Sequence, residues 1–173
     1  MMNSKIFLTG FMGSGKTFWG KVWAKENQLE FFDLDEQIEK ILGDTITNIF
    51  EQKGEAYFRE REREVLEKFA LQDNFILACG GGTPCFFDNL QWMDQNGVTI
   101  YLQATANEIF NRISDETNER PLLKKLSKAG LLIFIEQKLK EREPFYKQAG
   151  YMLNVGDLSK YSLGEVLRNV SKE

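Results

Sequence analysis

The run Gly10-Phe11-Met12-Gly13-Ser14-Gly15-Lys16-Thr17 satisfies the phosphate-loop pattern G-x-x-x-x-G-K-[ST] at every fixed position. Glycines let successive backbone N–H groups curl around phosphate oxygens, Lys16 brings a positive charge, and the Thr17 hydroxyl can ligate Mg²⁺. The flanks fit a strand–loop–helix unit. Lys5-Ile6-Phe7-Leu8-Thr9 is a β-prone run, and residues 16–26 carry Trp19, Val22 and Trp23 at helical spacing. The chain is therefore expected to grip a nucleoside triphosphate; an ordinary glycine-rich turn is the competing reading.

Composition narrows what else the chain can be. A length of 173 residues, 42% hydrophobic and 28% charged, suits one soluble domain with a sizeable core. The balance of 22 basic against 26 acidic residues, a net charge of −4, argues against a broad nucleic-acid-binding face. The most apolar stretch, Leu131-Leu132-Ile133-Phe134-Ile135, is far short of a membrane span. The residues before the first strand leave no room for a signal peptide, so a cytoplasmic location is expected, with a monomer as the default. Cys79 and Cys85 read as reduced structural thiols. The absence of histidine excludes imidazole bases, nucleophiles and metal ligands, leaving acid–base work to carboxylates and lysines.

Strand-like runs at 5–9, 29–33, 74–79, 98–102 and 151–155 alternate with helix-patterned segments, which predicts a parallel sheet with helices on both faces. A long helical insertion over 35–71, with Gly43 and Gly54 as breaks, is large enough to wall a second pocket. Residues 114–125 lack periodicity and read as a lid. Ser127 precedes a helix carrying Leu131, Leu132, Ile135 and Leu139, and Ser162-Leu163-Gly164-Glu165 predicts a capping box for the last one.

Asp33 and Asp35 are two apart at the end of the second strand, so an extended backbone would point both carboxylates to one side. At the carboxyl end of a doubly wound sheet they would lie beside the phosphate loop, one holding metal-bound water and the other orienting an attacking hydroxyl. A helix N-cap at Asp35 is the alternative, with capping compatible for either residue. The third strand runs into Gly80-Gly81-Gly82 where many phosphate-loop proteins place an Asp, so Asp33 is the best candidate for the acidic partner of Mg²⁺. Three glycines permit close backbone approach to a ligand, or form a plain turn. In Glu55-Ala56-Tyr57-Phe58-Arg59-Glu60-Arg61-Glu62, spacing alone does not select Arg59 over Arg61 or Arg63.

The phosphate loop, Asp33-x-Asp35, Ile49-Phe50-Glu51 followed by Gly54-Glu55 and Phe58-Arg59-x-x-Glu62, the triple glycine, Arg120-Pro121-Leu122-Leu123 and Arg142-x-Pro144-Phe145-Tyr146 stand in order. In this combination, over nearly the whole chain, the sequence resembles the shikimate kinases. The resemblance implies a P-loop kinase fold, a three-layer α/β/α sandwich on a five-stranded parallel sheet of order 2-3-1-4-5. One domain over 1–173 would carry a substrate-binding helical region near 35–62 and a lid near 112–125. It also implies ATP- and Mg²⁺-dependent phosphorylation of the shikimate 3-hydroxyl in aromatic amino-acid biosynthesis. Lys16, Asp35 and Arg120 would be catalytic, and Thr17 with Asp33 would hold the metal. Nucleotide would meet Gly13, Ser14, Gly15, Lys16, Thr17, Phe18, Arg112 and Arg120. Arg59 and Arg142 would clamp the shikimate carboxylate and Asp35 its hydroxyls, with Gly80, Gly81 and Gly82 alongside. Glu62 would buttress Arg59, and Phe50 and Phe58 would line the ring, although core packing explains both aromatics nearly as well.

The chain departs from the family pattern in three places. Phe18 replaces a small hydroxyl residue, removing a side-chain contact to the α-phosphate. Gly156-Asp157-Leu158-Ser159 stands where a basic residue is usual near adenine, which leaves Arg112 as the candidate to stack on the base, or a solvated arginine. Thr83-Pro84-Cys85 replaces a small apolar pair, with little expected effect. Rival readings are a gluconate or nucleoside monophosphate kinase, and a nucleotide-binding regulatory module. Paired Asp and a carboxylate clamp suit a hydroxy acid better than a phosphate, and a pure binder needs no hydroxyl-orienting carboxylate.

Overall fold

The computed structural model describes residues 4–114 and 127–171. Five strands, β1 (Lys5–Thr9), β2 (Glu30–Asp33), β3 (Phe75–Ala78), β4 (Val98–Gln103) and β5 (Tyr151–Asn154), form one sheet in the order β2-β3-β1-β4-β5. All four pairings are parallel. The parallel sheet is the one the strand–helix alternation predicts, and its strand order is the one the family resemblance implies.

Alternation along the strands divides the core in two. Ile6, Leu8, Ile76, Ile100 and Leu102 pack on one face with α1 (Lys16–Asn27), α5 (Ala106–Ile113), α6 (Lys128–Tyr146) and α7 (Ser162–Val170), through Trp23, Ile109, Ile135 and Leu163. Phe7, Phe75 and Leu77 pack on the other face with α2 (Leu34–Leu42), α3 (Ile46–Lys68) and α4 (Asn89–Asn96), through Ile38, Phe58, Leu66 and Met93. Strands buried on both faces explain their near-continuous apolar runs.

Gly43 ends α2 in the left-handed region, and Gly54 interrupts α3 at φ 80°, so both glycines act as the breaks the sequence predicts. Ser127 caps α6 by accepting the Gly130 N–H. The Ser162 capping box does not form: Ser162 lies inside α7, and its Oγ accepts the Ser159 N–H in the preceding turn at 2.9 Å. A reciprocal capping box forms instead between Thr105 and Glu108 at the start of α5. Cys79 and Cys85 are both reduced. No helix among the described residues is long and apolar enough to cross a membrane. The lid segment beyond Ser114, including Arg120, lies outside the described residues.

Candidate active site

The order of the strands places β1 where the chain switches from one side of the sheet to the other, and ligand crevices open at the carboxyl ends of strands at such a point. The phosphate loop fills the turn from β1 to α1. Gly13 and Gly15 have φ of 74° and 93°, a left-handed backbone that a side chain disfavours. Lys16 Nζ donates to the carbonyls of Gly10 and Phe11 at 2.7 and 2.8 Å, holding the ammonium against its own loop. Thr17 Oγ1 donates to Asp33 Oδ2 at 2.9 Å, tying the loop to the end of β2.

Above the loop lies a cleft of about 690 Å³. Gly13, Gly15, Lys16, Thr17, Phe18 and Arg112 line it from the phosphate loop, α1 and α5, and Asp33, Asp35, Gly80 and Gly81 line it from the ends of β2 and β3. Met12, Trp19, Cys79 and Val155 also line it, and no pattern in the sequence singles them out. Ser14 is fully buried and is not among the lining residues. Phe18 is 64% exposed, edge-on to Trp19, which in turn stacks on Trp23. Arg112 Nη1 donates to the Gly13 carbonyl at 3.2 Å.

The two aspartates reach the cleft by a different route from the expected extended pair. The strand ends at Asp33, which caps α2 by accepting the Asp35 N–H at 3.1 Å, so Asp33 and not Asp35 is the cap. Asp35 sits in the first helical turn. Burial, together with the nearby charges of Asp33 and Glu62, pushes the Asp35 carboxyl up to about 6, with Lys16 and Arg59 pulling the other way.

The triple glycine gathers the remaining charges. A Cβ built on Gly80 would lie 3.0 Å from Asp35 Oδ1, one on Gly81 would lie 3.5 Å from Arg142 Nη1, and one on Gly82 would lie 2.4 Å from Arg59 Nη2. Three consecutive residues thus face a carboxylate and two guanidiniums in turn. The buried Arg59 is selected over Arg61 and Arg63 by its surroundings: Nη1 donates to Glu62 at 2.8 Å, Nε and Nη2 to the exposed Glu55, and the Phe86 ring centroid is 4.2 Å from Cζ. Phe50 and Phe58 pack as a tilted pair at 4.5 Å between centroids, and both rings lie within 6 Å of the Arg59 guanidinium. Glu55 and Tyr146 stand in the sequence motifs without a site role assigned there, and Phe86 stands in none of them; all three join this arrangement. The Tyr146 hydroxyl, from the other end of the Arg-x-Pro-Phe-Tyr motif, donates to the Gly81 carbonyl.

Comparison with known proteins accords with this arrangement. The shikimate kinase family model matches residues 12–170. The chain is 41% identical over 154 residues to a shikimate kinase of Bacteroides thetaiotaomicron, covering 89% of this chain and 88% of that one. It is 37% identical to the shikimate kinase of Flavobacterium psychrophilum, covering 96% and 98%. The crystal structure of the B. thetaiotaomicron enzyme superposes with a TM-score of 0.87 at 37% identity over 98% of this chain and 97% of that chain. Shikimate kinase from Acinetobacter baumannii in complex with shikimate gives 0.85 at 31% identity over 99% and 94%. The chain belongs to the shikimate kinase family.

Proposed function

We propose that this chain transfers the γ-phosphoryl group of ATP to the 3-hydroxyl of shikimate, with the nucleotide on the phosphate loop and the acceptor against Gly80–Gly82. It is a kinase that phosphorylates shikimate in aromatic amino-acid biosynthesis. The observation that carries the residue roles is the turn at Gly80, Gly81 and Gly82, which meets Asp35, Arg142 and Arg59 one after another. A small polyol acid needs a cationic grip at its carboxylate and an acceptor at its hydroxyls, and charge-assisted hydrogen bonds contribute about 1.5–3 kcal/mol each.

Arg59 and Arg142 clamp the carboxylate. Arg59 is held in place by Glu62, and the Gly81 carbonyl is fixed by the Tyr146 hydroxyl. Asp35 accepts the hydrogen bond of the attacking hydroxyl and orients it. Its raised pKa of about 6 makes it a better proton acceptor than an ordinary Asp, while leaving it ionised at neutral pH. Lys16, released from the loop carbonyls, and Arg120 from the lid neutralise charge on the transferring phosphoryl group. Positioning and electrostatics are the whole of the protein's work, since a loose transition state asks little of a base.

Thr17 and Asp33 present two hard oxygens bridged by one hydrogen bond, and no cluster of three or more His, Cys, Asp or Glu suited to a metal occurs among the described residues. That donor set fits Mg²⁺, which binds through one or two protein oxygens plus phosphates and water. When bound, Mg²⁺ would supply positive charge at the β- and γ-phosphates. Phe18 and Arg112 flank the nucleotide, with Arg112 stacked on the base. The chain acts as a monomer in the cytoplasm. ADP release in the presence of shikimate, and its loss in Asp35→Asn with ATP binding retained, tests this reading.

A further inference from the structure

Glu62 is fully buried on α3, and a buried carboxylate needs both oxygens satisfied. Oε2 accepts from Arg59 Nη1 at 2.8 Å, and Oε1 accepts from the Thr83 hydroxyl at 2.6 Å. Thr83 is itself fully buried and opens the short 3₁₀ turn Thr83–Cys85, directly after the triple glycine. Its backbone is held twice: its N–H donates to the Gly80 carbonyl at 3.1 Å, and its carbonyl accepts from Asn89 Nδ2 at 2.9 Å. Asn89 is anchored in turn by Arg63 Nη1 at 2.8 Å. The hydroxyl that Glu62 leans on therefore sits on a fixed platform and connects the glycine turn to the clamp.

We infer that Thr83 is a positioning residue for shikimate: its hydroxyl aims the Glu62 carboxylate, and Glu62 aims Arg59. The sequence pattern gives this position little weight, because the partners are 21 residues apart and only the fold joins them. Without the hydroxyl, Oε1 loses its donor in a site closed to solvent, and the carboxylate turns to find another. The guanidinium loses its preset orientation, so part of the acceptor's binding energy goes into ordering it. Thr83 is fully buried and does not line the cleft, so its effect reaches a substrate through the clamp and falls on the acceptor.

The inference rests on Arg59 gripping the acceptor, and the test separates the two. Steady-state kinetics are measured for wild type, Thr83→Val, Thr83→Ser, Arg59→Ala and the Arg59→Ala/Thr83→Val double variant. Thr83→Val should raise the shikimate KM about tenfold, the scale of one charge-assisted hydrogen bond, with the ATP KM within about twofold. Thr83→Ser should restore the wild-type value within about twofold. In the Arg59→Ala background the valine should add nothing further, because the clamp it serves is gone. Thr83→Ala is read by the same criteria if the valine variant does not fold. A normal shikimate KM in Thr83→Val, equal losses for both substrates, no rescue by serine, or additive effects in the double variant would each overturn the inference. A normal shikimate KM in Arg59→Ala would instead remove the clamp itself.

Discussion

A methyl group on Gly82 would lie 2.4 Å from Nη2 of Arg59, closer than any real Cβ contact. Arg59 has little freedom to retreat, since Glu62 and Glu55 hold its nitrogens and Phe86 covers its face. The backbone at Gly82 is ordinary for any residue, with φ of −95°, so the methyl acts on the arginine and not on the turn. Gly82→Ala should raise the shikimate KM at least about tenfold while leaving the ATP KM within about twofold. Substrate titrations of the variant check this; an unchanged shikimate KM would show that Arg59 does not grip the acceptor from this position.

Asp35 predicts a pH dependence in both activity and stability. With its carboxyl pushed up to about 6, kcat/KM for shikimate should fall about tenfold per pH unit below 6 as the acceptor of the hydroxyl proton becomes protonated. The stability term has the opposite sense. The folded state holds the proton more tightly than the unfolded chain, so a destabilising contribution grows as pH rises from about 4 and is complete above about 6. Asp35→Asn should therefore lose most turnover yet gain on the order of 1–3 kcal/mol at pH 7.5, roughly 2–4 °C in Tm per kcal/mol, with much less gain at pH 4.5. Melting curves of both proteins at the two pH values decide it.

The phosphate loop, the parallel sheet and the helix breaks were legible because each is a local pattern: fixed residues, alternation, or a glycine between periodic segments. The aspartates show the limit of that logic. Helix α2 starts at Leu34, inside the stretch an extended Asp33-x-Asp35 assumes, so the two share the cleft through a cap and a first helical turn. At Ser162 the residues match a capping box, but a competing turn at Ser159 takes the hydroxyl. Thr105-Ala106-Asn107-Glu108 carries the same pattern and does form one. Arg59 could not be told from its neighbours by spacing because Glu62, Phe86 and Gly82 come together around it only in the fold.

Arg142 lies beside Gly81, with its guanidinium near the Phe11 ring. Arg142→Ala should weaken shikimate by about tenfold to a hundredfold and ATP by less than about threefold, with little change in Tm. Equal weakening of the two substrates would take Arg142 out of the clamp.

Phe18 stands exposed at the cleft, and the family resemblance implies that a small hydroxyl residue here would contact the α-phosphate. Its ring contributes little to the core, so Phe18→Thr should fold normally and lower the ATP KM about threefold to tenfold, leaving the shikimate KM unchanged. A higher ATP KM would show instead that the aromatic ring contributes more to nucleotide binding than the hydroxyl it replaces.

The most direct measurement is ADP release by the purified chain with ATP and Mg²⁺, offered shikimate, gluconate, a nucleoside monophosphate or no acceptor. Turnover that requires shikimate, with shikimate 3-phosphate as the product, is the predicted result. Turnover with another acceptor, or ATP binding without turnover on any of them, would contradict it.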